Sequence, residues 1–413
     1  MSDLTAVPLP AAAYAAYRRQ VIFAACKWDP QLGDTRLIGE HALVLTSDTA
    51  GQLNAWAEQL SRETLAMERA LLQRPELHAR LGLPRAVRRA LAQVPASGPD
   101  AVRLMRFDLH PTASGWALSE VNSDVPGGLG EAAVMSQLAA DMIPGTRALM
   151  DPAAAIAAAF AARLPADSCL ALVHATAYAD DQQVMAYLAR ALVRHGLTPI
   201  LAAPDHLQWR GAQVTCVASG APVAVHGLVR FYPAEWLPAL ARGTSWRRYF
   251  NPGIATCNPA TALLTQSKRL PLLWPGLGVA TPTWEALLPP TAAPQAVGWQ
   301  RDPDWILKPA LGRVGEGIAI AGAAPAAEWR ASRRWARWRP GSWVAQRRFV
   351  SRCVATPAGD RHVCLGVYTV DGRAAGMYGR LSPWPRIDAR AQDVPVVVAS
   401  ARTASPKGAC HGQ

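Results

Sequence analysis

The chain is poor in lysine. Of its 42 basic residues only Lys27, Lys268, Lys308 and Lys407 are lysines, so arginine stands at almost every other cationic position. A compact ammonium and a planar guanidinium are not interchangeable against phosphate, and the lysines that remain call for a chemical reason. Long apolar runs are missing too. The longest, residues 152–162, is alanine-rich and too short to cross a bilayer. The amino terminus has no basic region followed by an apolar core, so no signal peptide is expected. Seven cysteines, an odd number without Cys-x-x-Cys or Cys/His spacing, argue against a disulfide framework or a zinc site and imply reduced thiols in a cytoplasmic protein. No Gly-Lys-Ser/Thr closes a P-loop, and neither a dinucleotide fingerprint nor an internal repeat occurs. What remains is a chain of 413 residues, half of them hydrophobic, with a net charge of +12. That is enough for one large unit or two to three packed lobes.

Two stretches carry chemistry. Residues 102–110 and 116–122 read as strands flanking Pro111-Thr112-Ala113-Ser114-Gly115, a composition that closes hairpins. A five-residue loop would set His110 opposite Trp116, Asp108 opposite Leu118 and Arg106 opposite Glu120. Arg106, Asp108, Glu120 and Asn122 then share one face, with Met105, Phe107 and Leu109 on the other. Two carboxylates and an amide oxygen are the hard ligands that Mg²⁺ takes. Without a metal, the same residues read as an Arg106–Glu120 cross-strand pair. The second stretch is an apolar strand ending at Lys308, a glycine-rich loop containing Gly312, Arg313, Val314 and Gly315, and a second apolar strand over residues 318–320. Such a loop can lay backbone N–H groups over phosphates, with Lys308 as a point charge on them.

Around these, helices are expected over residues 10–25, from residue 47 through Leu71, and over 131–141 after the tight turn 126–130. An alanine-rich helix from residue 152, strands over 169–174, 198–201 and 225–231, and a helix over 181–195 imply a parallel sheet with covering helices. The proline-rich link 288–294 reads as an exposed loop. Residues 329–348 hold seven arginines and four tryptophans. They fit either a nucleic-acid surface or an amphipathic helix, and the helical spacing of Trp329, Arg333 and Ala336 and of Trp335 and Trp338, in a chain where arginine replaces lysine throughout, favours a solvated helix face.

Arg-x-Asp at 106–108, Glu-x-Asn-x-Asp-x-Pro at 120–126, Lys268 before Leu-Pro-Leu-Leu-Trp, and Lys-Pro-x-x-Gly-Arg-x-Gly at 308–315 together resemble the synthetase domain of glutathionylspermidine synthases. That family is a circularly permuted ATP-grasp group whose metal-binding strands precede its nucleotide-binding lysines, and the resemblance runs from about Trp28 to about Arg380. It implies an α/β (α+β), ATP-grasp-like fold. The expected parts are a helical region (1–100), a central lobe with the hairpin and a mixed or parallel sheet (101–260), a small antiparallel nucleotide lobe (261–400) and a disordered tail (401–413).

The resemblance also implies an ATP-dependent carboxylate–amine ligase working through an acyl phosphate. Asp108, Glu120 and Asn122 would hold Mg²⁺; Lys268, Lys308, Gly312, Arg313 and Gly315 would bind ATP phosphates. Gln346, with Phe349, resembles the adenine hinge, and Arg106 and Arg380 resemble catalytic arginines. Partners would be a small-molecule carboxylate and an amine, peptide or polyamine-like, with no membrane or nucleic-acid partner. Departures accompany the matches. No amidase domain precedes the synthetase region, so no hydrolytic second activity is expected. Gly127-Gly128 replaces the small hydroxyl residues of glutathione-binding members. Leu381-Ser382 after Arg380 and Val314 in the glycine loop replace acids, which argues against a strongly cationic acceptor. A non-catalytic nucleotide-binding module and a nucleic-acid-binding protein are the alternatives from other classes.

Overall fold

The protein is described by a computed structural model over residues 3–96, 98, 101–312, 317–320, 322 and 325–400. The hairpin forms, but its turn is two residues, Ala113-Ser114, and not five. Thr112 pairs with Gly115 and Pro111 with Trp116. Gly115 takes φ +129°, a backbone angle that disfavours side chains. This tight turn alone would slip the register by one and send Glu120 and Asn122 to the face opposite Arg106 and Asp108. A bulge between Asp108 and Leu109 prevents that: Ser119 pairs with nothing, and beyond it Asp108 faces Glu120 while Arg106 faces Asn122. The pairings differ from the predicted ones, yet the four polar groups share a face.

Met105, Phe107 and Leu109 are fully buried on the other face, against the helix Ser47–Leu72 that supplies Leu53, Leu60 and Met67. Thr46 caps that helix by accepting the Thr49 N–H at 3.2 Å. The sheet extends beyond the hairpin. Leu104–Thr112 pairs with Arg361–Val370, which pairs with Arg373–Ser382 and then Gln392–Val394, all antiparallel. The 261–400 segment therefore contributes to this sheet as well as to the small one. Residues 1–100 likewise hold strands besides helices: Leu4–Pro8 and His41–Leu45 form a sheet with Val396–Ala399 and Thr146–Arg147.

The predicted parallel sheet is present, in the order Ala255–Cys257, Gly227–Phe231, Cys169–His174, Thr198–Ala202. Cys169–His174 is buried along its whole length, as a strand covered on both faces must be. The small sheet is antiparallel: Thr291–Ala292, Trp343–Arg347, Trp305–Pro309, with the helix Ala326–Trp338 packed on it. Two expectations fail here. The proline-rich link contributes the strand Thr291–Ala292 and buries Leu288 and Pro294, because its backbone completes the edge of that sheet. Residues 318–320 form no strand; a single bridge joins Ala319 to Leu307. The tail 401–413 lies outside the described residues. The six described cysteines are free thiols, and no described helix is long and apolar enough to cross a membrane.

Arg230 joins the parallel sheet to the end of the hairpin. Its side chain is fully buried, Nη2 donates to Asp124 Oδ1 at 2.6 Å and Nε to the Asn258 carbonyl at 3.1 Å, while Asp124 Oδ2 accepts the Ala234 N–H at 3.1 Å. Removing one partner of such a pair strands the other charge. Asp124→Ala should therefore cost about 3–5 kcal/mol in urea unfolding; a cost below about 1 kcal/mol would mean that the pair does not tie these elements together.

Candidate active site

A cleft of about 820 Å³ runs between the hairpin face, the small sheet and the loops above the parallel sheet. At one end, Arg106 grips Asp108 in a two-point contact, Nε to Oδ1 at 2.7 Å and Nη2 to Oδ2 at 3.0 Å, and its Nη1 reaches the Gly127 carbonyl at 3.1 Å. Asn122 Nδ2 also donates to Asp108 Oδ2, at 3.1 Å. Lys268 Nζ lies 2.9 Å from Glu120 Oε2 and 2.9 Å from the Gly312 carbonyl. Lys308 Nζ donates to the carbonyl of the bulged Ser119 at 3.1 Å. Burial would raise the Glu120 carboxyl, but Lys268 and Lys308 outweigh it and hold it down at about 2. Burial pulls Lys308 down to about 8 against the Glu120 carboxylate, with Lys268 adding to the fall. His110, in the same wall, is pushed down to about 4 by burial and then by Lys308; its ring lies 5.0 Å from that of Phe349.

Three cations thus face two carboxylates. This balance favours a polyanion and holds a lone divalent cation poorly; among the described residues no three His, Cys, Asp or Glu side chains group as a metal site. The donor chemistry of Asp108, Glu120 and Asn122 nevertheless fits Mg²⁺ that arrives with phosphates, since the phosphates would supply the missing charge and ligands.

The opposite end is acidic. Lys27 Nζ sits 3.3 Å from Asp29, 3.2 Å from Glu131 and 3.0 Å from Asp393. Asp180 is raised to about 6 by burial, then by its hydrogen bond to Asp29 and that neighbour's charge. Arg380 lies 3.8 Å from Asp393. Four carboxylates therefore face two cations, so this end carries the negative charge that the residues after Arg380 lack.

Arg106, Asp108, Glu120, Asn122, Lys308 and Arg380 all line the cleft, as does Phe349. Lys268 and Gly312 are not among the cleft-lining residues: Lys268 is tied to the cleft by its ion pair with Glu120, and the Gly312 carbonyl accepts from Lys268 behind it. Gln346 is buried in the small sheet, donating to Thr291 Oγ1 at 2.9 Å, and is not among the cleft-lining residues. Arg313 and Gly315 lie outside the described residues. Sequence reading gave no role to Asp29, Glu131, Asp180, Asp393 or His110. Lys27 did carry a signal, being one of four lysines. Gly128 departs from the glutathione-binding pattern for a steric reason: at φ +86° a Cβ there would stand 2.7 Å from the Tyr368 phenol oxygen. That phenol donates to the Gly127 carbonyl at 2.5 Å.

The architecture is that of an ATP-grasp-like synthetase. A glutathione synthetase-like effector from Globodera pallida, in its apo form, aligns with a TM-score of 0.64 over 95% of this chain and 98% of its own, at 10% identity. A protein named as a γ-glutamylcysteine synthetase from Methylobacillus flagellatus aligns at 0.37 over 80% and 84%, at 12% identity. No curated protein matches. The family model for the glutathionylspermidine synthase preATP-grasp region matches residues 16–399, and the chain belongs to that family.

An anion bound at the lysines should restore the Lys308 proton at a pH where the ligand-free protein has lost it. Binding of Mg–ATP at about pH 9 should take up about one proton, read as the dependence of calorimetric enthalpy on buffer ionisation heat. At about pH 6.5 uptake should vanish, because Lys308 is already charged. The Lys308→Gln variant should show no uptake at either pH. Equal uptake in that variant would assign the proton elsewhere.

Proposed function

We propose that this protein is an ATP-dependent, ADP-forming ligase that joins a small carboxylate to a cationic amine through an acyl phosphate. The observation that carries this reading is one cleft with a lysine-and-arginine end beside two carboxylates and an acidic end across from it. Lys268 and Lys308 would hold the nucleotide phosphates, and Glu120, relieved of Lys268, would turn with Asp108 and Asn122 to a divalent cation. Bound there, Mg²⁺ would screen the phosphate charge. Arg106, anchored by the Gly127 carbonyl, would set its guanidinium against the charge that builds up on the phosphorylated carboxylate, and a donor fixed in advance stabilises such charge most. At the other end Asp29, Asp180, Glu131 and Asp393 would attract an ammonium group and so orient the amine toward the acyl carbon. Arg380, beside Asp393 at that acidic end, would steady the amine's surroundings.

Tyr368 fills the space beside Gly128, which supports a carboxylate donor other than glutathione. Family membership supports the ligase class; the ADP-forming step and the substrates are what the experiment must establish.

Hydroxylamine is small, neutral near pH 7 and able to intercept an acyl phosphate whatever the natural amine. With Mg–ATP, hydroxylamine and a panel of amino acids and short peptides, a productive carboxylate should yield a hydroxamate with ADP and phosphate. Arg106→Ala should lower that yield by about 100-fold or more while weakening ATP binding far less. AMP and pyrophosphate as products would replace the acyl phosphate with an adenylate and overturn the proposal. ATP binding without turnover across the panel and across cationic amines would leave a nucleotide-binding module.

A further inference from the structure

The helix Ala326–Trp338 covers the small sheet with one face and, among the described residues, leaves the other without a protein partner. On the covered side Ser332 and Ala336 are buried, Ser332 Oγ donates to the Gly317 carbonyl at 3.3 Å, and the Arg333 guanidinium lies 5.6 Å from the Trp299 ring and 5.3 Å from that of Trp329. At about 100° per residue the outward arc divides into two rows. Arg330, Arg334 and Arg337 form one row, Trp338 and Trp335 the next, and Arg339 closes the far side. Trp335 is 42% exposed and Trp338 69%. Arg334 lies 6.0 Å from the Trp338 ring and Arg339 5.4 Å from that of Trp335. Among the described residues none of these four arginines has a carboxylate partner.

The solvated face expected from the sequence does not account for this, because a merely solvated helix keeps its charges out and turns its indoles in. Exposed indoles beside a row of uncompensated guanidiniums match a ligand that alternates phosphates with flat rings. We propose that this face docks single-stranded nucleic acid, with backbone phosphates along Arg330, Arg334 and Arg337 and bases stacked on Trp335 and Trp338. Indole stacking is tolerant of sequence, and guanidiniums are suited to phosphate. A bilayer is a poorer match: an interfacial helix sinks a broad apolar face, whereas here two indoles are flanked by arginine on both sides. The net charge of +12 adds long-range attraction. Among the described residues the helix is hydrogen-bonded to the cleft rim through Ser332, which donates to the Gly317 carbonyl, and through Glu328, paired with Arg386 at 2.5 Å. Its outward face is separate from the phosphate end.

The test is fluorescence anisotropy of labelled oligo-dT and oligo-U, about 12 nucleotides long, with the full chain across a salt series. Saturable binding is expected, with log K falling against log salt at a slope of about −2 to −3, from three or four phosphate contacts at about −0.7 each. The Trp335→Ala/Trp338→Ala double variant should bind at least about tenfold more weakly with its slope kept. The Arg330→Gln/Arg334→Gln/Arg337→Gln triple variant should lose about 2 from the slope. Saturating Mg–ATP should change neither. The proposal fails if the oligonucleotide does not bind, if Mg–ATP displaces it, which would place it in the phosphate end of the cleft, if both variants with unchanged melting temperatures bind like the wild type, or if the chain prefers anionic phospholipid vesicles.

Discussion

A carboxylate largely withdrawn from water needs a partner, and Glu120 stands half-buried at the junction of two sheets. Its partner Lys268 belongs to the segment leading into the small sheet: the Lys268 N–H donates to the Ala310 carbonyl and its ammonium to that of Gly312. One ion pair therefore ties the hairpin to that segment and leaves the lysine end of the cleft with one cation in excess. Replacing a buried pair by apolar residues often costs a fold little, while losing one partner costs it much. A pair kept at this junction, beside a third cation on Ser119, is more readily understood as a reserve of charge for a ligand than as a source of stability.

The bulge at Ser119 has the same double character. It restores the face alternation that the two-residue turn would have reversed, and its unpaired carbonyl becomes the acceptor for Lys308. Alternation in the sequence was enough to foresee that Arg106, Asp108, Glu120 and Asn122 share a face, because parity survives when two slips cancel. It could not foresee the partners, since a bulge depends on how the strand meets its neighbours. The buried parallel strand over 169–174 was legible for the opposite reason: a continuous apolar run with turn residues on both sides admits few alternatives. Thr291–Ala292 was not, because two residues between prolines become a strand only when Trp343–Arg347 lies alongside.

The acidic end was illegible for a geometric reason. Asp29 follows the first helix, Glu131 opens the π-helical turn after the hairpin, Asp180 begins a helix of the parallel sheet, and Asp393 lies on the last strand of the hairpin sheet. No spacing rule connects residues drawn from four elements. Lysine scarcity pointed at Lys27 as much as at Lys268 and Lys308, but a glycine-rich loop beside the latter two supplied context that the first lacked.

That end also changes what the missing acids after Arg380 signify. Read along the chain, Leu381-Ser382 in place of two carboxylates removes the attraction for a cationic substrate. In the fold, the Arg380 side chain enters a wall whose charge comes from elsewhere, so electrostatics across the cleft survives the local loss. Coulomb interactions depend on distance through space and on burial, not on separation along the chain. A substitution pattern that argues against a cationic acceptor in sequence therefore becomes compatible with one once Lys27, Asp29, Glu131, Asp180 and Asp393 are seen to converge. The Gly127-Gly128 departure goes the other way, because the Tyr368 phenol occupies the volume that a side chain at position 128 would need, and no charge brought from elsewhere reopens it.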